Sequence, residues 1–153
     1  MQLISPAFQN LEPVPEPYTC RGPNLSPPLE FRDLPEGTAS LVLMVEDVDA
    51  PANPWVHWLV FDIPPVTTGC EPGEIPDGGV EGIANGGTHG YEGPCPRYFT
   101  GTHHYHFKLY ALNKRLSLPS IANRPMVLAA MEGHVLDQAV LIGLAEGDGG
   151  AMA

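Results

Sequence analysis

Ten of the chain's 17 glycines and six of its 18 prolines fall within residues 64–102. Average usage is about 7% Gly and 5% Pro, so the 153 residues carry roughly twice the usual load of both. In a helix interior Gly costs about 1 kcal/mol and Pro about 3, which excludes a coiled coil or a long helical bundle. The glycines have no period of three, which excludes collagen. At 43% apolar residues the chain is too hydrophobic for wholesale disorder. What remains is a turn-rich, mainly β domain with long loops, and the length fits a single domain.

The regular segments lie on either side of that stretch. Residues 39–47 form an apolar run bounded by turns and read as a largely buried strand. Residues 55–61 read the same way, and a period of two puts Trp55, His57, Leu59 and Phe61 on one face, with Val56, Trp58 and Val60 on the other. Residues 103–112 form a third strand, with His103, Tyr105, Phe107, Leu109 and Ala111 on one face and His104, His106, Lys108 and Tyr110 on the other. Residues 123–138 read as the one good helix, capped by Asn123 and with Pro125 in its first turn. Residues 139–144 continue the helix or form a last strand. Residues 147–153 read as a flexible tail. Residues 64–102 read as an ordered loop, anchored by Tyr91, Tyr98 and Phe99, with room for one short strand.

Seven basic residues against 18 acidic ones leave a net charge of −11. Such a surface repels nucleic acid and anionic lipid, both of which require clustered Lys and Arg. Any anion must be held by local dipoles and histidine. No stretch reaches the ~18 apolar residues of a membrane helix. The first residues lack the basic and apolar regions of a signal peptide, so the expectation is a cytoplasmic protein. Cys20, Cys70 and Cys95 are odd in number and lack C-x-x-C spacing. They read as free thiols in a reducing compartment.

Four of the six histidines lie in residues 89–106. Asp47 and Asp49 close the first strong strand, and His57 lies in the second. Three chemistries fit these groups. His104 and His106, two apart on one strand face, form a metal-ligand pair that Asp47 or His57 could complete. Cys95 beside His103 would be a nucleophile and its base. The third is an anion pocket. The Gly90–Gly93 backbone can approach a ligand closely and offer N–H donors, and His57, His103 and Tyr105 add side-chain donors. Asp47 would orient the imidazoles, and a carboxylate beside a histidine favours its protonated form.

Four motifs in order carry a resemblance: Asp47-Val48-Asp49-Ala50-Pro51, Trp55-Val56-His57-Trp58, Gly90-Tyr91-Glu92-Gly93-Pro94-Cys95-Pro96 and His103-His104-Tyr105. With Ser26-Pro27-Pro28-Leu29, Leu34-Pro35-Glu36-Gly37-Thr38, Tyr110-Ala111-Leu112-Asn113 and Gly133-His134-Val135-Leu136, the chain resembles the phosphatidylethanolamine-binding protein family over residues 4–143. It is most similar to the bacterial, Raf-kinase-inhibitor-like branch. The resemblance implies two antiparallel sheets with Greek-key connections and peripheral helices. It also implies a C-terminal helix of about 124–138 followed by a short strand at 139–144, in a single domain of residues 1–146.

The resemblance further implies a non-catalytic pocket for small anions or phosphate-type head groups, without a cofactor or metal. Carried over residue by residue, it comprises Asp47, Asp49, His57, Gly93, Pro96, His103 and Tyr105. A regulatory protein-binding module of the kinase- or protease-inhibitor kind is the alternative, and a metal- or Cys-dependent enzyme the third. Homodimers occur among bacterial relatives. Three positions depart from the family pattern: Val48 and Arg97 stand where prolines are usual, and His104 replaces an arginine. The resemblance also suggests a cis bond at Ala50–Pro51, with Asn53–Pro54 a second candidate.

Overall fold

The computed structural model describes residues 1–52 and 54–149. Asn53, and with it the Asn53–Pro54 bond, lies outside the described residues, as do positions 150–153 of the expected tail. The strands are β1 (Gln2–Ile4), β2 (Glu12–Pro13), β3 (Leu29–Arg32), β4 (Ser40–Asp47), β5 (Trp55–Ile63), β6 (Gly69–Cys70), β7 (Val80–Glu81), β8 (Thr100–Leu112) and β9 (Val135–Asp148). One helix, α1 (Arg124–Met131), separates the last two strands. Short 3-10 turns lie at Glu16–Tyr18 and Pro96–Tyr98.

Two sheets form the body. The small one has the order β1-β3-β6, and the large one β2-β9-β8-β4-β5-β7. All pairings are antiparallel except the short β2–β9 contact, which is parallel. After the β4–β5 hairpin the chain returns to place β8 beside β4, the long connection of a Greek key.

β4 explains the layering. Every residue from Ser40 to Asp47 is buried, because both faces of this central strand are covered. Leu41, Leu43 and Val45 join Leu3, Leu29, Phe31, Trp58, Phe107 and Leu109 in the core between the sheets. Val42 and Met44 face the other way, onto Leu59, Phe61, Val127 and Met131 under α1. Truncating one of the large aromatics to Ala would cost about 3–5 kcal/mol.

Several expectations need correction. The helix ends at Met131, not 138. Gly133 adopts φ 79°, and the His134 N–H closes the last turn on the Met131 carbonyl at 2.9 Å. That left-handed glycine releases the chain from the helix. Residues 135–148 then pair with β8 along its whole length, from Val135 opposite Leu112 to Asp148 opposite Thr100. The final strand is therefore 14 residues long rather than short, and Gly147 and Asp148, assigned to the tail, complete it. Here cross-strand pairing outweighs the helical spacing of Val135 and Ala139. The 64–102 loop holds two short strands rather than one. Finally, Cys20 and Cys95 are not free thiols. They form a disulfide, and Cys70 alone is unpaired.

β5 departs from strict alternation. Val45 pairs with Trp58 but Glu46 pairs with Val56, which leaves His57 as an extra residue in the ladder. Val56, Leu59 and Phe61 consequently face α1, whereas Trp58 and Val60 enter the core between the sheets. Bulges of this kind re-aim a side chain, often beside a functional site.

Candidate functional site

A cavity of about 550 Å³ opens where β4 ends and β5 and β8 begin. Pairing sets the three strand ends in register: Asp47 lies opposite Tyr105 on one side and Trp55 on the other. The β5 bulge brings His57 in beside them, with its ring edge-on to Tyr105 at 5.1 Å between centroids. His103 enters from β8, stacked on Phe99 at 3.7 Å.

Hydrogen bonds fix the polar floor. The buried Asp47 carboxylate accepts from the Asp49 backbone N–H at 2.9 Å and from His103 Nδ1 at 2.7 Å. Burial, followed by the Asp47 charge, drives the Tyr105 phenol pKa well above its ordinary value. His57 Nδ1 donates to the Glu92 carbonyl at 2.6 Å, and the Glu92 N–H returns a bond to the His57 carbonyl at 3.1 Å. With each Nδ1 committed as a donor, each neutral imidazole has its lone pair on Nε2. Burial lowers the His57 pKa, an effect that the Glu92 carbonyl and the Asp47 charge oppose.

The remaining wall is a loop stitched to the N-terminal segment. The Gly93 N–H donates to Asn24 Oδ1 at 2.8 Å, the Tyr91 hydroxyl to the Tyr18 carbonyl at 2.7 Å, and the Cys20 N–H to the Pro94 carbonyl at 3.0 Å. A Cβ on Gly93 would lie 2.0 Å from the Tyr18 oxygen, so only glycine permits this approach. The Cys20–Cys95 disulfide joins the same two segments.

Of the seven residues expected at the site, Asp47, His57, Gly93, His103 and Tyr105 line the cavity. Asp49 does not. Its carboxylate accepts from the backbone N–H and Nδ1 of His104, at 2.7 and 2.8 Å. Burial would raise the Asp49 pKa, but these His104 contacts outweigh it and hold it low. Pro96 is buried and lines a different depression, with Arg21 and Glu146. The sequence reading missed Trp55, Tyr98 and Phe99 as lining groups; in the sequence the last two were visible only as anchors of a loop. It also missed Asn24, which carries no motif of its own, and Glu92, which stands within the Gly90–Pro96 motif without a role of its own.

The other two chemistries fare worse. His104 and His106 alternate with His103 and Tyr105 along β8 and so point away from the cavity. No group of three potential metal ligands occurs among the described residues. Cys95 is held in the disulfide.

These features define a class: a two-sheet β protein with a small, polar-floored cavity at converging strand ends. The chain belongs to the phosphatidylethanolamine-binding protein family, whose model matches residues 4–146. It is 48% identical to the UPF0098 protein of Methanothermobacter thermautotrophicus, over 94% of this chain and 97% of that one. The crystal structure of CT736, a Chlamydia trachomatis homologue of phosphatidylethanolamine-binding protein, superposes with a TM-score of 0.89. The two are 39% identical, with 96% of this chain and 97% of that one covered. YbcL of E. coli superposes at 0.88 with 28% identity, covering 96% and 98%.

Proposed function

We propose that the protein binds a small oxyanion, or a head group carrying one, non-catalytically in this cavity. The observation that carries the reading is the pair of imidazoles anchored through Nδ1, His57 on a backbone carbonyl and His103 on Asp47. Each leaves Nε2 for a ligand, and protonation there converts an acceptor into a charged donor. Asn24 adds an amide whose N–H groups are not used by its contact with Gly93. Phe99 and Trp55 provide an apolar wall suited to a ligand with an organic portion.

A non-enzymatic role is supported by the state of Cys95, whose sulfur is bonded to Cys20. The thiols also bear on the compartment. A disulfide is typical of oxidising environments or of hyperthermophile cytosol, and it favours one of these over an ordinary reducing cytoplasm.

Calorimetric titration of phosphate and phosphoethanolamine at pH 6 and pH 8, into wild type and His103→Ala, tests the reading. Binding should be tighter at pH 6, because a bound anion favours the charged form of the imidazoles beside it, and pH 8 lies well above the ordinary imidazole pKa of ~6.5. It should be lost in the variant. Equal affinity at both pH values would refute the role of the imidazoles.

A further inference from the structure

About half of the cavity lining comes from two segments with little regular structure. Residues 16–24 supply Cys20 and Asn24, and residues 91–99 supply Glu92, Gly93, Cys95, Tyr98 and Phe99. Neither segment pairs in a sheet. The second segment positions the polar floor, since the Glu92 carbonyl anchors His57 and Phe99 stacks on His103. Between the segments run the hydrogen bonds from Gly93, Tyr91 and Cys20 and a single covalent tie, Cys20–Cys95.

Each neutral hydrogen bond contributes about 1 kcal/mol net, and such contacts open and close locally. The disulfide is therefore the strongest tether across this wall. Both of its cysteines line the cavity and are only half-buried, so a reductant can reach the bond through the opening that admits a ligand. Cys70 lies elsewhere, beside Leu29 and Glu74, and takes no part.

We propose that Cys20–Cys95 is a redox latch on the cavity: the oxidised form holds the wall closed up for binding, and reduction loosens it and weakens binding. This regulation rests on the anion reading above. The step is thiol–disulfide exchange with a dithiol reductant. One of its thiolates attacks a sulfur of the bond to give a mixed disulfide, and its second thiol displaces that sulfur. Two electrons and two protons pass to the pair, Cys20 and Cys95 become thiols, and the reductant leaves as a disulfide. In the unlatched form a ligand must pay the entropy of ordering both segments. The linkage is reciprocal: a ligand that prefers the latched wall stabilises the bond against reduction by the same factor.

The test uses the full chain, oxidised or reduced with dithiothreitol, and reads two quantities. Amide hydrogen exchange at Cys20 and Gly93 should accelerate about tenfold or more on reduction, while Val45 and Phe107 in the central strands stay protected. Inorganic phosphate, titrated at pH 6, should bind about tenfold more weakly to the reduced protein. By linkage, saturating phosphate should then lower the midpoint for reduction by about 30 mV. A Cys20→Ser/Cys95→Ser variant should match the reduced protein, and Cys70→Ser the oxidised one. If the double variant does not fold, reduction of the wild type in place decides.

Unchanged exchange at Cys20 and Gly93 overturns the latch. Faster exchange with phosphate affinity unaltered within twofold overturns control of binding. Absence of phosphate binding even to the oxidised protein overturns the anion reading and with it the control of affinity, while the exchange measurement still decides whether the wall is latched.

Discussion

Removing the Cys20–Cys95 bond should cost the fold far more than a typical surface change. The bond closes a loop spanning 75 residues. In the chain-entropy model the constraint on the unfolded state is −2.1 − 1.5R ln n cal/mol/K, which for this loop gives about 15 cal/mol/K, or about 4.5 kcal/mol at 25 °C. Domains are stable by only about 5–15 kcal/mol, so this is a large share. At about 2.1 cal/mol/K per residue, unfolding the chain carries an entropy of about 0.3 kcal/mol/K, and the loss becomes a fall in Tm of about 14 °C. Residual structure in the reduced unfolded chain would trim that figure. The assay is thermal unfolding with and without reductant, paired with a thiol count. The native oxidised protein should show one slow thiol, Cys70, whose pKa burial pushes up to about 11. The reduced protein should show three. A shift below about 3 °C with all three thiols accounted for would refute the entropic argument.

Three further outcomes follow from other parts of the molecule. Gly93→Ala places a Cβ 2.0 Å from the Tyr18 carbonyl and 2.7 Å from Asn24 Oδ1. The wall must shift, and a loss of about 2 kcal/mol or more is expected from the denaturant midpoint. His57 is held below its ordinary pKa in the folded state, chiefly by burial. The fold thus favours the neutral ring, and stability present above pH ~6.5 should be lost as the pH falls from there toward the lowered value. Chemical denaturation between pH 5 and 7 should show this slope in wild type and a flatter one in His57→Gln; equal slopes would exclude His57 as the source. Asn123 accepts the Met126 N–H at the start of α1, so Asn123→Ala should lower stability by about 1 kcal/mol, read from the urea midpoint.

The sheet body was legible because it obeys simple periodicity. The three longest apolar runs became β4, β5 and β8, with boundaries within three residues, and Asn123 caps the helix as read. The failures trace to interactions between distant residues. Within residues 132–148 only the apolar run 139–144 suggests a strand, and periodicity leaves it open against a longer helix, since the pairing that creates the 14-residue strand comes from β8. The β5 bulge is invisible to a period of two, because it depends on register with β4. The disulfide eluded cysteine arithmetic because an odd count permits one bond and a spare. At the site, the polar residues on strand ends were found and the aromatic wall was not. His103 and Asp47 carry obvious chemistry, while Phe99 acquires its role only when it stacks on His103.

The three departures from the family pattern bear on whether the cavity can work in this chain, and their placement argues that it can. None of Val48, Arg97 and His104 lines the cavity. The Val48 N–H bonds the His104 carbonyl at 3.2 Å, so the turn after Asp47 is tied to β8 without a proline. His104 sits on the outer side of that turn and holds the Asp49 carboxylate through two donors. The Asp49 N–H in turn reaches Asp47. An arginine fork would brace the same carboxylate with a permanent charge, whereas a histidine braces it through one ring N–H and the backbone. Arg97 is exposed, with its guanidinium 5.0 Å from the centre of the Tyr98 ring, so it acts on the cavity only through that lining residue. His104→Ala should therefore loosen the Asp49 turn and raise the Asp49 pKa, while leaving the Asp47–His103 bond in place. Carboxylate titration by NMR would register the shift. A drop in phosphate affinity as large as that of His103→Ala would show instead that the turn and the cavity floor act as one unit.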